Sequence, residues 1–422
     1  MTRPPAVHTL KNGATLICDP VPGFETLALS VVAGRGARWE TEAQSGWSHL
    51  LEHMVFKGAG SRSARDIVET IENEGGQLNA ATGHERTSFQ VRALAGGLPL
   101  AMEVIADLVQ RPTLDPEDLE REKHVVQQEI AEAADTPDDQ VFECAQAAAF
   151  THQALGRPIL GSVASLAPAT PLAIEAWRAS IYAPDRLVIS VAGAVDEAEF
   201  LSLAEQWFAS AAPAATPDAA QARFVGGVVT EARKLEQAHL VFLLPGPGIG
   251  DPGYWALRLF AELLGGGMSS RLFQEARERL GLAYAIDAYA DGYADVGVLG
   301  IYAGCAAKDA GRLAQVAAGE LRGLSSRVEA QELARGKAQL KASLFMGRES
   351  LLARTEQAAA QRLAFGRLLP TVEIANAIDA VTVDDLIALG GGLLAPGLCA
   401  VSVLGPKRAD AAATLFENAL FG

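Results

Sequence analysis

Apolar residues follow two rhythms along this chain, one of continuous short runs and one of helical spacing, and their alternation maps a succession of strands and helices. From Thr26 to Val32 an apolar, β-branched run reads as a buried strand. It ends at the turn Gly34-Arg35-Gly36, and a helix follows around His49. Leu78 to Thr82 and Thr87 to Val91 read as two strands around a polar turn, with small side chains at Ala80 and Ala81. Asp115-Pro116-Glu117-Asp118 has the acidic first turn and early proline of a helix start, and Leu119 to Ala134 continues with helix formers. Leu187 to Val195 closes this half as an apolar strand.

The second half repeats the order. Leu240 to Leu244 reads as a strand, a Gly/Pro turn follows, and a helix begins near Tyr254; Leu398 to Gly405 closes as Leu187 to Val195 did. Between the halves, Ala209 to Ala222 is rich in Ala, Pro and Thr with a single charge and reads as a linker. The expectation is an α+β fold of two homologous domains, each a mostly antiparallel sheet packed with helices, at residues 1–210 and 223–422 with a linker at 211–222. Ile387 to Pro406 is uncharged over membrane length, but Gly390-Gly391-Gly392 and Pro396-Gly397 break it into a helix end, a turn and a short strand.

Charge narrows the partners. Lys plus Arg number 35 against 51 Asp plus Glu, a balance of −16 that disfavours nucleic acid and anionic lipid and favours a cationic peptide. The N-terminus has no apolar signal-like run, and Cys18, Cys144, Cys305 and Cys399 are scattered without a Cys-x-x-Cys pair. Both observations point to a reducing cytoplasmic setting.

Candidate chemistry centres on His49-Leu50-Leu51-Glu52-His53. Residues four apart on a helix lie one above the other, so both imidazoles can aim at one ion while Glu52 shares their face. A zinc ion lowers the pKa of a bound water to about 7, and an adjacent carboxylate can take its proton. A catalytic zinc needs a third protein ligand. The helix after Asp115 offers Glu122 and Glu129, two turns apart on one face, which periodicity alone reads sooner as a solvated acidic stripe than as a ligand pair.

Three segments resemble the pitrilysin and insulinase family of zinc metallopeptidases, and within it the processing-peptidase subgroup: Gly46 to Gly58, Gly75-Gly76-Gln77-Leu78-Asn79-Ala80, and Glu120 through Glu129. The resemblance implies one zinc per subunit on His49, His53 and Glu129, with Glu52 as general base and Glu122 as a carboxylate that orients the ligands. It also implies that Asn79 and Ala80 lie beside a peptide or unfolded presequence substrate added as an extra strand. Asn79 reads equally as a turn-flanking asparagine.

The second half lacks the motif. Trp255 to Leu264 has no histidine, and Gly265-Gly266-Gly267 is followed by no Gly-Lys-Ser/Thr, which argues against a nucleotide loop. Arg277 and Tyr284, seven apart, match a family pair that holds the substrate backbone and stabilises the oxyanion. Family members of this length work as dimers, so the resemblance implies a homodimer, with a heterodimer as the other arrangement. In processing peptidases, two carboxylates ten and fourteen residues beyond the zinc-binding glutamate hold a substrate arginine. Here Asp139 and Glu143 occupy those positions, with the two acid types exchanged; they read equally as a solvated helix start. The implied activity is a zinc metalloendopeptidase. The competing reading is a non-catalytic partner or assembly subunit of the same fold.

Overall fold

The computed structural model describes residues 4–211 and 218–422, so residues 212–217 of the expected linker lie outside the described residues. The described residues form two compact units. The first comprises those up to Ile130, Pro158–Ala220 and Met346–Pro370; the second comprises Ala131–Arg157, Gln221–Phe345 and Thr371–Gly422.

The first unit is built on a six-stranded sheet in the order Ala6–Thr9, Thr15–Pro20, Leu187–Gly193, Thr26–Ala33, Thr87–Leu94, Gln77–Thr82. Only Thr15–Pro20 and Leu187–Gly193 run parallel; every other pair is antiparallel. Leu187–Gly193 is buried at every position, which explains why its sequence is a continuous apolar run rather than an alternating one. Opposite faces of neighbouring Thr26–Ala33 feed separate clusters. Leu27, Leu29 and Val31 join the large core beneath the helices, whereas Ala28 and Val32 face the other way.

The second unit repeats the plan with five strands in the order Gly227–Ala232, Ala400–Gly405, Gln237–Gly246, Gly297–Ala306, Ala283–Gly292. Its first pair is parallel and the rest antiparallel, strand for strand the same as the first unit without its outermost strand. The shared order and sense give the duplication read from the sequence a structural form.

The units are not contiguous halves. Helix Leu351–Phe365, from the second half of the sequence, covers the outer face of the first sheet: Ala359 packs with Ile17, Val32 and Val188, and Leu351 with Ala28 and Ala192. Ser30 Oγ and Thr355 Oγ1 lie 2.7 Å apart inside this contact. Helix Pro137–Ala149, from the first half, covers the second sheet through Val141, Ala145 and Ala148 against Val241, Leu243 and Leu404. A division at 1–210 and 223–422 therefore puts each helix in the wrong unit. Strands apolar on both faces need two covering layers, and here one layer comes from the other half of the chain.

No helix among the described residues is long and apolar enough to cross a membrane. Ile387 to Pro406 divides between helix Val383–Leu394 and strand Ala400–Gly405.

Candidate metal centre

Helix Trp47–Val55 in the first unit carries the His-x-x-Glu-His motif, and its surroundings fix both its start and its roll. Gly46 precedes it at φ +90°, and a Cβ there would lie 2.5 Å from the carbonyl oxygen of Leu160, so backbone angle and space both demand glycine. Glu40 is 4% exposed and accepts the N–H of Gly46 at 2.8 Å and of Ser48 at 2.7 Å. A buried carboxylate thus caps the positive end of the helix. Leu50, Leu51, Met54 and Val55 fill the core, Trp47 Nε1 donates to Ser165 O at 2.9 Å, and Trp177 Nε1 donates to Ser48 Oγ at 3.3 Å. The opposite face is left to His49, Glu52 and His53, which are partly exposed.

Helix Pro116–Asp135 brings Glu122 and Glu129 to that face. Glu129 Oε2 lies 3.4 Å from His53 Nε2 and 3.8 Å from His49 Nε2, and donor atoms of the three residues all lie within 4.8 Å of one another. Tetrahedral zinc with bonds of about 2.0–2.1 Å separates its ligands by about 3.3 Å, so the spacing suits such an ion. Glu122 is buried; its Oε2 lies 3.0 Å from His53 Nδ1 and its Oε1 2.8 Å from Lys57 Nζ. With Nδ1 engaged in this way, Nε2 is left to face Glu129. Burial, and secondarily the neighbouring His53, push His49 down to about 4, so its ring is neutral at neutral pH and offers a lone pair. His49 Nδ1 is buried with no hydrogen-bond partner among the described residues. Two imidazole nitrogens and one carboxylate oxygen at this spacing are a donor set suited to a zinc ion with an open fourth position, so the residues present fit that ion.

Glu52 accepts a 2.6 Å hydrogen bond from Thr82 Oγ1. Burial raises its carboxyl above the ordinary carboxylate value, against the opposing pull of the Thr82 bond and His53. A carboxylate with raised basicity beside a metal-binding triad is suited to accept a proton.

Thr82 ends the edge strand Gln77–Thr82, which pairs only with Thr87–Leu94 among the described residues. Asn79 is exposed on it and Ala80 half-buried on the opposite face. Beside Asn79, Phe56, Val68, Ile71, Glu72 and Leu78 line a recess of about 190 Å³.

The remaining residues singled out from the sequence belong to the second unit. Arg277 lies in the π-helical segment Phe273–Arg279, its guanidinium carbon 4.8 Å from the centre of the Phe273 ring. Tyr284 is 77% exposed at a bulge where pairing slips between Ala283 and Ala285. A bulge re-aims a side chain, and here it frees the phenol for contact outside the fold. Gly265 ends helix Tyr254–Gly265, where a Cβ would meet Ala288 N at 2.3 Å. That glycine serves close packing rather than a phosphate. Asp139 and Glu143 lie on one exposed face of helix Pro137–Ala149, and the Glu143 carboxyl is raised, first by desolvation and then by Asp139.

Sequence reasoning did not find Glu40, Lys57 or Thr82. Each acts through a contact with a residue on another element, and nothing in local spacing marks it.

Two family models match the chain: insulinase, peptidase family M16, over residues 21–163, and the peptidase M16 inactive domain over residues 168–340. An uncharacterized zinc protease of Rickettsia felis is 34% identical over 95% of this chain and 97% of its own length. Another, of Bacillus subtilis, is 35% identical over 89% of this chain and 92% of its own. Among solved structures, a protease from Helicobacter pylori superposes with a TM-score of 0.89 at 19% identity, over 96% of this chain and all of that one. A chain of complex III2 from Candida albicans gives 0.86 at 20% identity, over 98% and 99%.

Because Glu40 holds the start of the motif helix, Glu40→Gln should turn an amide donor toward a backbone N–H and remove the charge that faces the helix end. The expected cost is about 2–3 kcal/mol, read as a lower urea midpoint with an unchanged slope; an unchanged midpoint would show that the cap is dispensable. The two family matches, together with a relative 34% identical over 95% of this chain and 97% of its own length, make this chain a member of the M16 insulinase peptidase family.

Proposed function

We propose that this protein is a zinc-dependent endopeptidase that hydrolyses peptides or presequence-like segments. The observation that carries the reading is the convergence of His49, His53 and Glu129 donor atoms beside the Glu52 carboxylate. When bound, zinc would supply Lewis acidity to water and to the scissile carbonyl. Glu52 takes the proton of the attacking water and returns it to the leaving amine. Glu122 holds the His53 ring through Nδ1, and Lys57 in turn neutralises Glu122. The free edge of Gln77–Thr82 accepts the substrate backbone as an added strand, with Asn79 and Ala80 beside it. Arg277 and Tyr284 donate to the developing oxyanion. The protein acts as a homodimer, each chain contributing both sets of residues.

A non-catalytic assembly role draws support from the fold shared with a chain of complex III2. The retention of the whole donor set together with the base favours the peptidase.

Glu52→Gln should retain about one zinc per chain while losing 100-fold or more of turnover, roughly the span of general-base catalysis. His49→Ala should lose the metal itself. Metal analysis beside a quenched-peptide assay separates the two roles, and near-normal turnover by Glu52→Gln would reject the assignment.

Tyr284→Phe removes one donor and should lower kcat by about 10²-fold with zinc unchanged. Reassembled mixtures of Glu52→Gln and Tyr284→Phe chains should regain activity if donors and metal site meet across a dimer. Mixtures as inactive as their parents would place the site within one chain.

If Asp139 and Glu143 grip a substrate guanidinium, peptides with arginine two residues before the scissile bond should be cleaved preferentially. Asp139→Asn with Glu143→Gln should erase that preference and spare neutral peptides. A cleavage profile with no basic preference near the cut would leave a general oligopeptidase.

A further inference from the structure

The edge strand Gln77–Thr82 touches the reactive face of the motif helix at one hydroxyl. Thr82 Oγ1 lies 2.6 Å from Glu52 Oε2 and 3.5 Å from the carbonyl oxygen of Ser48, one turn earlier on the same helix. A hydroxyl has a single proton to donate, and the shorter contact to a charged acceptor takes it. The donation fixes the carboxylate by one oxygen. Its other oxygen stays available to a proton in transit.

The strand end that carries Thr82 is itself held firmly. Thr82 is the register partner of Thr87, which has no exposure at all, and the neighbouring Phe89 ring meets Tyr182 edge to face at 5.5 Å. Tyr182 is 3% exposed. Alternation along the strand puts Leu78, Ala80 and Thr82 on one face, and the core takes Leu78 and Ala80. Thr82 completes that row as its polar member.

We infer that Thr82 is a positioning residue for Glu52, locking the general base to the strand along which substrate is added. The inference rests on the peptidase reading above. It has a geometric consequence: the register of the docked peptide and the direction of the base are set by one strand, so the scissile carbonyl and the proton acceptor are placed relative to a common frame. Its role is exerted through Glu52.

Thr82→Val keeps the shape and removes the donor. Its kcat should fall by about 10- to 100-fold, the scale of a misplaced catalytic group, with KM within about twofold of wild type and zinc content unchanged. Thr82→Ser keeps a hydroxyl and should restore most of the loss. A second readout needs no turnover: in denaturant unfolding of metal-free protein, Thr82→Val and Glu52→Ala should be non-additive, because each removes the same bond. If valine prevents folding, Thr82→Ala takes its place in both measurements. Wild-type kcat without the hydroxyl, or strictly additive unfolding midpoints, would overturn the inference. Glu52→Gln keeps the two failures apart. An active Glu52→Gln sinks the peptidase reading, whereas an inactive Glu52→Gln beside a fully active Thr82→Val sinks only the role of Thr82.

Discussion

The carboxylate of Glu40 on the N-terminus of helix Trp47–Val55 is the contact on which the candidate centre depends. A nine-residue helix is too short to be stable by propensity alone, and its polar face has little packing to hold it. Its roll must be set within a few degrees if two histidines are to share an ion with a glutamate 76 residues further on (129 − 53). Glu40 and Gly46 fix the start, the buried leucines fix the roll, and Trp47 and Trp177 pin the first turn. The histidines are then aimed by the packing of the opposite face, and His53 also by its contact with Glu122. His49 carries a buried nitrogen with no partner among the described residues, a cost borne by the surrounding packing.

Around this helix, each polar side chain is held by one further removed. Glu122 holds His53 and is itself held by Lys57; Thr82 holds Glu52 and is held by the strand pairing of a hairpin. Such layering is what keeps ligands within fractions of an ångström of a working geometry. The raised basicity of Glu52 comes from burial, which dominates over the Thr82 bond and the nearby His53 that oppose it.

The parts legible in the sequence were those encoded by period and spacing. The His-x-x-Glu-His face and the helix after Asp115 follow from side chains repeating at 3.6 residues, and the matching succession of strands in the two halves from short apolar runs. The supporting contacts were not legible, because Lys57 and Thr82 reach residues that only the tertiary fold brings near, and Glu40 meets Gly46 and Ser48 across a turn that follows no helical or strand period. The exchange of helices was hidden for a related reason. The amphipathic pattern of Pro137–Ala149 says that one face must be covered, but not by which sheet. A strand such as Leu187–Gly193, buried at all seven positions, announces that it needs two covers and leaves the second unnamed.

The two units show how one topology can carry chemistry in one copy and packing in the other. Helix Tyr254–Gly265 follows the central strand of the second sheet as Trp47–Val55 follows that of the first, yet Leu257, Leu259, Phe260, Leu263 and Leu264 are all buried. Where the first unit leaves a polar face open to an edge strand and an acidic helix, the second closes the corresponding face with leucine and brings Gly265 against strand Ala283–Gly292. Closing that face removes any space for an ion. Gly265 packs against Ala288, which lies on the strand whose bulge presents Tyr284, four residues after it. The helix that carries a metal motif in the first unit thus serves in the second as packing behind the strand that presents the exposed phenol of Tyr284.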